Sequence, residues 1–159
     1  MASHTCQDVQ AVLESLGVDV EVQIFEASTA TAPEAARAIG TELGSIVKSL
    51  CFVVNGEPIL VLAAGDRMVD THKLAALHGV GHKRVHIADA ETTLRVTGYA
   101  VGGVAPVGHP QRLTILIDST LQRYETVYAA AGSPNAVFPI ALETLAQVTT
   151  GHFVEIARD

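Results

Sequence analysis

Ile46-Val-Lys-Ser-Leu-Cys-Phe-Val-Val-Asn-Gly-Glu-Pro-Ile-Leu-Val-Leu-Ala63 decides the fold of this 159-residue chain. Ile46 to Val54 is apolar and rich in β-branched residues, which favours an extended strand over a helix. Asn55-Gly56 tolerates the positive φ angles of a two-residue hairpin turn, and Pro58 to Ala63 returns as a second strand. An antiparallel hairpin is therefore expected here. Upstream, Val9, Val12, Leu13 and Leu16 recur at helical spacing and stop at Gly17, and Val20, Val22 and Ile24 then alternate as a strand. Thr31 caps a helix with Pro33 in its first turn that ends at Gly40. Downstream, Asp70 caps a helix through Leu77, and Asp89 opens another ending near Gly98. Strands follow at 113–118, 126–131 and 136–140, then a helix at 141–148 and a last strand at 152–157. Helices and strands interleaved irregularly around a hairpin predict an α/β (mixed α+β) fold, in one domain over 1–159.

Composition narrows the function. Hydrophobic residues make up 48% and charged residues 17%, which is globular, and the length suits one substantial core. No apolar run reaches the roughly 18 residues that span a bilayer, so no membrane partner is expected. The first residues lack a basic stretch followed by an apolar one, the mark of a secretory signal. Cys6 and Cys51 stand in unlike contexts, and buried free thiols in a reducing cytoplasm account for both. A net charge of −7 argues against gripping long nucleic acids through their phosphates, and no DNA partner is expected. Contact with the tip of a nucleic acid remains compatible with it. Lys83-Arg84 is a modest basic grouping and reads as solvated surface.

The stretch Gly98-Tyr-Ala-Val-Gly-Gly-Val-Ala-Pro-Val-Gly108 carries the main candidate site. Four glycines and a proline preclude a helix interior, and they let peptide groups approach a ligand without a Cβ in the way. Val101, Val104, Ala105 and Val107 press the loop against a core. Lys48 stands in the otherwise apolar first strand of the hairpin. There it either snorkels to solvent or holds a positive charge at a pocket mouth for an anionic or carbonyl oxygen. Asp118 closes the strand Leu113 to Ile117 and reads as a turn or helix cap. Other chemistry is not visible: G-x-S-x-G and the phosphate loop are absent, and Gly102 to Gly108 lacks dinucleotide spacing. His78, His82 and His86 recur every four residues, yet Gly79 and Gly81 break the helix that would align them. No metal or cofactor is expected.

In this order and spacing the residues resemble the YbaK-like family of prolyl-tRNA editing proteins, which includes the insertion domain of bacterial prolyl-tRNA synthetase. The matching elements are Thr31 to Ala36, Ile46 to Leu50, Gly65 to Asp70 with Lys73-Leu74, Thr97 to Gly108, Leu116 to Asp118, and Val127-Tyr128 leading to Ala131-Gly132. The resemblance implies a mixed, mostly antiparallel curved sheet with flanking helices. It also implies hydrolysis of the ester in mischarged tRNA, with alanine or cysteine removed from tRNA for proline. The family's strand lysine falls on Lys48. Its G-x-x-x-P loop falls on Gly102, Gly103, Val104, Ala105 and Pro106, with Gly108 beyond. Its aspartate falls on Asp118 and its later glycine on Gly132. The cysteine-specific type carries a tyrosine where Phe25 stands here.

An aminoacyl ester is already reactive, so its hydrolysis needs positioning and charge stabilisation more than a strong base. Peptide N–H groups of the Gly102–Gly108 loop would hold the carbonyl oxygen or terminal ribose. Lys48 would meet a phosphate or the carbonyl, and a water or a substrate group would attack. Phe25, Val47 and Val101 would set pocket size, since excluding proline by size works better than by affinity. The expected partners are the acceptor end of mischarged tRNA and prolyl-tRNA synthetase. Two rivals are a non-catalytic module binding aminoacyl ends or a protein, and a hydrolase of small aminoacyl esters. His109 is read as surface.

Overall fold

The hairpin is the centre of the sheet. The computed structural model describes residues 3–159. In chain order the elements are α1 (Cys6–Ser15), β1 (Gln23–Ile24), α2 (Ala32–Ile39), β2 (Ile46–Val54), β3 (Glu57–Ala64) and α3 (Thr71–His78). There follow β4 (Val85–Ile87), α4 (Ala90–Thr97), β5 (Thr114–Asp118), β6 (Thr126–Ala130), β7 (Ala136–Ala141), α5 (Leu142–Thr149) and β8 (His152–Val154). β2 and β3 pair antiparallel from Val47 opposite Ala64 to Val54 opposite Glu57. Asn55 and Gly56 turn between them with φ of 51° and 83°, the left-handed pair that Asn-Gly favours.

The strands form one mixed sheet in the order β1-β7-β6-β2-β3-β5-β8, with β4 also on β2. β2–β6, β3–β5 and β5–β8 are parallel, and the other four pairings are antiparallel. The mixed, mostly antiparallel sheet with flanking helices is therefore present. Alternation along the hairpin splits its side chains between two faces. Val47, Cys51, Leu60 and Leu62 join Leu13, Tyr99, Phe138 and Leu145 in the larger core. Phe52, Ile59 and Val61 pack with Leu74 and Leu116 on the other face, where Ile46 meets Ala32, Ala35 and Ala36 of α2. Full burial of one such leucine or valine contributes about 1.5–3 kcal/mol.

Two strands are shorter than their sequence suggests. Over 20–24 only Gln23–Ile24 pairs, because the Gln10 side chain takes the backbone of the preceding residues. Its Nε2 donates to the Val20 carbonyl at 3.0 Å, and its Oε1 accepts from Val22 N–H at 2.8 Å. At the other end, β8 stops at Val154. The chain then leaves the sheet edge, Ala157 bridges Val69, and Asp70 N–H donates to the Ile156 carbonyl. Among the described residues no helix is long and apolar enough to cross a membrane.

Candidate active site

The site exists because one edge of β2 is divided between two neighbours. At its start, Ile46 and Val47 pair with Tyr128 and Ala129 of β6; at its end, Phe52 to Val54 pair with β4. The Ile46 carbonyl accepts from Gly65 on the β3 side, and the Cys51 carbonyl accepts from Ala88 on the other. Strand alternation therefore turns the N–H and C=O of Ser49 into the gap between β6 and β4. A cleft of about 490 Å³ opens there, within the range that takes a small ligand. It is walled by Thr29–Pro33 ahead of and within α2, Ile46–Cys51, Ile87-Ala88, Thr93, and Val101, Gly102 and Val104 of the glycine loop.

The loop is held from behind by its carbonyls. Gly103 N–H donates to the Ala100 carbonyl at 3.0 Å, closing a turn whose third residue, Gly102, has φ 95°. The Gly103 carbonyl accepts from Gly132 N–H at 2.9 Å, that of Ala105 from His109 Nε2 at 2.9 Å, and that of Val107 from the Tyr99 hydroxyl at 2.6 Å. Tyr99 is wholly buried, and burial holds its phenol far above the ordinary value, so it remains a donor. A planar trans peptide points its N–H opposite its C=O. The Val104 N–H is thus turned away from Gly132, and among the described residues it has no protein acceptor. Val104 is nevertheless buried and lines the cleft. A buried, unpaired donor is costly in isolation and favours an incoming oxygen.

Lys48 lines the same cleft, half-buried, and its Nζ donates to the Arg67 carbonyl at 2.6 Å. Desolvation lowers its pKa, while Asp66 and Asp118 oppose that shift. Asp66 is largely satisfied elsewhere: Arg123 grips both its oxygens at 2.7 and 2.9 Å, and this holds its carboxyl below the usual range. The ammonium is therefore fixed in place with charge to spare.

Six of the residues singled out in the sequence meet at the cleft: Thr31, Val47, Lys48, Val101, Gly102 and Val104. Gly103, Ala105, Pro106 and Gly108 stand behind the wall as its support. Three lie apart. Phe25 is tied to Asn135 through two hydrogen bonds. Gly132 packs beneath Gly103, with φ 88°. Asp118 is 1% exposed and caps the 3-10 turn Ser119–Arg123, accepting from Thr120 N–H at 3.1 Å and its hydroxyl at 2.7 Å, as the cap reading anticipates. Sequence reasoning missed Ser49, Ile87 and Ala88, which reach the cleft through the pairing of β2 with β4, and Thr93, which reaches it from α4. Ser49 had a local signal, as the polar neighbour of Lys48 in an apolar strand, and its Oγ is buried without a partner among the described residues.

His109 is not a surface residue but a strut under the loop. Burial lowers its pKa below 6.5, so the neutral ring with Nε2–H on Ala105 is the folded form. As pH falls below 6.5 the unfolded chain takes up the proton first, and stability drops until the lower folded pKa is reached. Thermal melting from pH 7.5 to 5 should show this loss, and His109→Gln should flatten it; equal slopes would show that His109 is not the group responsible.

This is a small mixed α/β protein with a cleft at an interrupted sheet edge, lined by the glycine loop and by Lys48. The pattern of the "Aminoacyl-tRNA editing domain" family matches residues 26–148, and the chain belongs to that family. It is 32% identical over 130 residues to the "Putative Cys-tRNA(Pro)/Cys-tRNA(Cys) deacylase EbsC" of Enterococcus faecalis, covering 79% of this chain and 76% of that one. A solved structure described as a "putative trans-editing enzyme for prolyl tRNA synthetase" superposes with a TM-score of 0.91 at 36% identity, each chain covered completely. The proline–tRNA ligase of Geobacter metallireducens shares 36% identity over 84 residues, 53% of this chain but 14% of that enzyme. The resemblance read from the sequence is thus the family to which the chain belongs, and its members are enzymes of aminoacyl-tRNA editing.

Proposed function

We propose that this chain hydrolyses, in the cytoplasm, the ester that joins a wrong amino acid to tRNA for proline, with cysteine or alanine as the amino acid removed. The observation that carries the reading is the unpaired Val104 N–H in one cleft with Lys48. Water, or a nucleophile on the substrate itself, attacks the ester carbonyl carbon. The Val104 N–H receives the developing oxyanion, the bond to the ribose oxygen breaks, and that oxygen takes up a proton. Lys48 meets the phosphate of the terminal nucleotide. A single oxyanion donor contributes about 3–4 kcal/mol to such a step. The name of the Enterococcus relative supports the cysteine substrate, and the similarity to a segment of proline–tRNA ligase supports association with that synthetase.

The test is deacylation of alanyl-, cysteinyl-, seryl- and prolyl-tRNA for proline. Rapid loss of cysteinyl- or alanyl-tRNA with prolyl-tRNA spared is expected. Loss of prolyl-tRNA at the same rate would exclude an editing role. Binding without turnover of any member would support the non-catalytic module, and equal turnover of free aminoacyl esters would support the small-ester hydrolase.

A further inference from the structure

Resting on the editing reading, we infer that the surface formed by residues 71–88 is where the phosphates of the tRNA acceptor stem lie. The chain carries 17 Asp and Glu against 10 Lys and Arg, yet residues 71–88 contain no acid at all. They carry Lys73, Lys83 and Arg84 with four of the seven histidines. In sequence this is a faint signal, and folding concentrates it. The stretch makes α3, the 3-10 turn His82–Arg84 and β4 in succession, and His82, Lys83, Arg84 and His86 are all exposed. Lys83 and Arg84 form no ion pair among the described residues, whereas Lys73 is spent on Asp159 and Arg123 on Asp66. The acids that bracket the stretch are both engaged as helix caps, Asp70 partly buried and Asp89 exposed. Asp70 accepts from His72 N–H and Asp89 from Thr92 N–H, each capping its own helix.

The path of the chain ties this surface to the cleft. β4 runs antiparallel to β2, Val85 opposite Val54 and Ile87 opposite Phe52. It therefore leads from Arg84 straight to Ile87 and Ala88, which wall the cleft. At ~3.3 Å per residue, Arg84 and Ala88 are about 13 Å apart. A polyanion whose aminoacylated end occupies the cleft has its neighbouring phosphates within reach of Lys83 and Arg84. The turn that presents them is stiffened, with the His72 and His82 rings stacked 3.7 Å apart and the Thr71 hydroxyl 2.7 Å from His82 Nε2. The arrangement allows a chain of net charge −7 to hold tRNA by its end alone.

The experiment compares wild type with Lys83→Glu/Arg84→Glu, checked for an unchanged melting temperature. Deacylation of the mischarged tRNA is followed against salt, together with the single-turnover rate at saturating enzyme. We expect kcat/KM to fall at least about tenfold, as charge-assisted contacts to phosphate require. The slope of log kcat/KM against log salt should flatten by about 2, one for each cation removed. The saturating single-turnover rate should stay within about twofold. Wild-type kcat/KM and salt slope in the variant, with activity intact, would overturn the docking surface and leave the editing reading standing. A loss seen only when prolyl-tRNA synthetase is present would assign the surface to a protein and also overturn it. Should the wild type deacylate no tRNA, the editing reading falls. Anisotropy of an uncharged acceptor-stem minihelix would then decide the surface alone: weaker binding by the variant supports it, equal binding refutes it.

Discussion

Lys48→Ala should lower kcat/KM on mischarged tRNA by about 10- to 150-fold, the worth of a charge-assisted hydrogen bond of about 1.5–3 kcal/mol. The fold should survive. Removing the ammonium forfeits its charge-assisted bond to the Arg67 carbonyl, about 1.5–3 kcal/mol, but also relieves an offsetting cost of half-burying a charge. Melting should therefore move little. The sign of that relief is testable in itself. The folded pKa lies below 10.5, so the unfolded chain binds more protons in the alkaline range. Wild-type stability should gain from this group as pH rises from the depressed value to 10.5, and the variant should lack the gain. An aminoacyl-adenosine without the 5′-phosphate separates the roles of Lys48. Equal rates for wild type and variant on that compound place Lys48 on phosphate, and a parallel loss places it on the carbonyl. Full activity on tRNA in Lys48→Ala would remove it from the site altogether.

Gly103→Ala should be nearly as damaging by a different route. A Cβ at this position would stand 3.0 Å from both the Gly132 carbonyl carbon and the Ser133 nitrogen. Both are backbone atoms, so neither can rotate aside, and relief requires the loop to lift. Overpacking of this kind costs about 1–3 kcal/mol. The Gly103 carbonyl would leave Gly132 N–H, and the Val104 N–H would move with it. A displacement near 1 Å is worth about 10²-fold in rate. Gly102→Ala is the informative comparison. There the added Cβ meets only Ala30 Cβ at 3.4 Å, but φ is 95°, which costs a residue with a side chain about 1–3 kcal/mol of strain. Thermal melting and deacylation of both variants would check this. A Gly103→Ala protein with wild-type rate and melting temperature would show that the loop's seat on Gly132 does not set the chemistry.

The helices and the hairpin were legible because their signals are local. Thr31, Asp70 and Asp89 cap the helices that their side chains suggest, and Gly40, Gly79 and Gly98 end them in the left-handed conformation. β1 and β8 were misread in length because long-range contacts cut them short: the Gln10 amide, ten and twelve residues from its acceptor and donor, and the bridge from Ala157 to Val69. The glycine loop and Lys48 were visible as departures from pattern, a run too glycine-rich for an element and a charge in an apolar strand. Phe25 drew attention as an apolar wall, yet hydrogen bonds with Asn135 hold it elsewhere.

Local sequence alone determined which segments are strands and helices, where the loop can bend, and which lysine stands in an apolar strand, because caps, turn residues and side-chain alternation act over a few residues. Only the tertiary structure decided that β6 and β4 share one edge of β2 without meeting. That gap makes the cleft, aims Ser49 into it, and brings the weakly basic stretch 71–88 to its rim. Pairing between residues some 30 to 80 positions apart in the chain leaves no mark on any one segment, and so could be read only once the sheet was assembled.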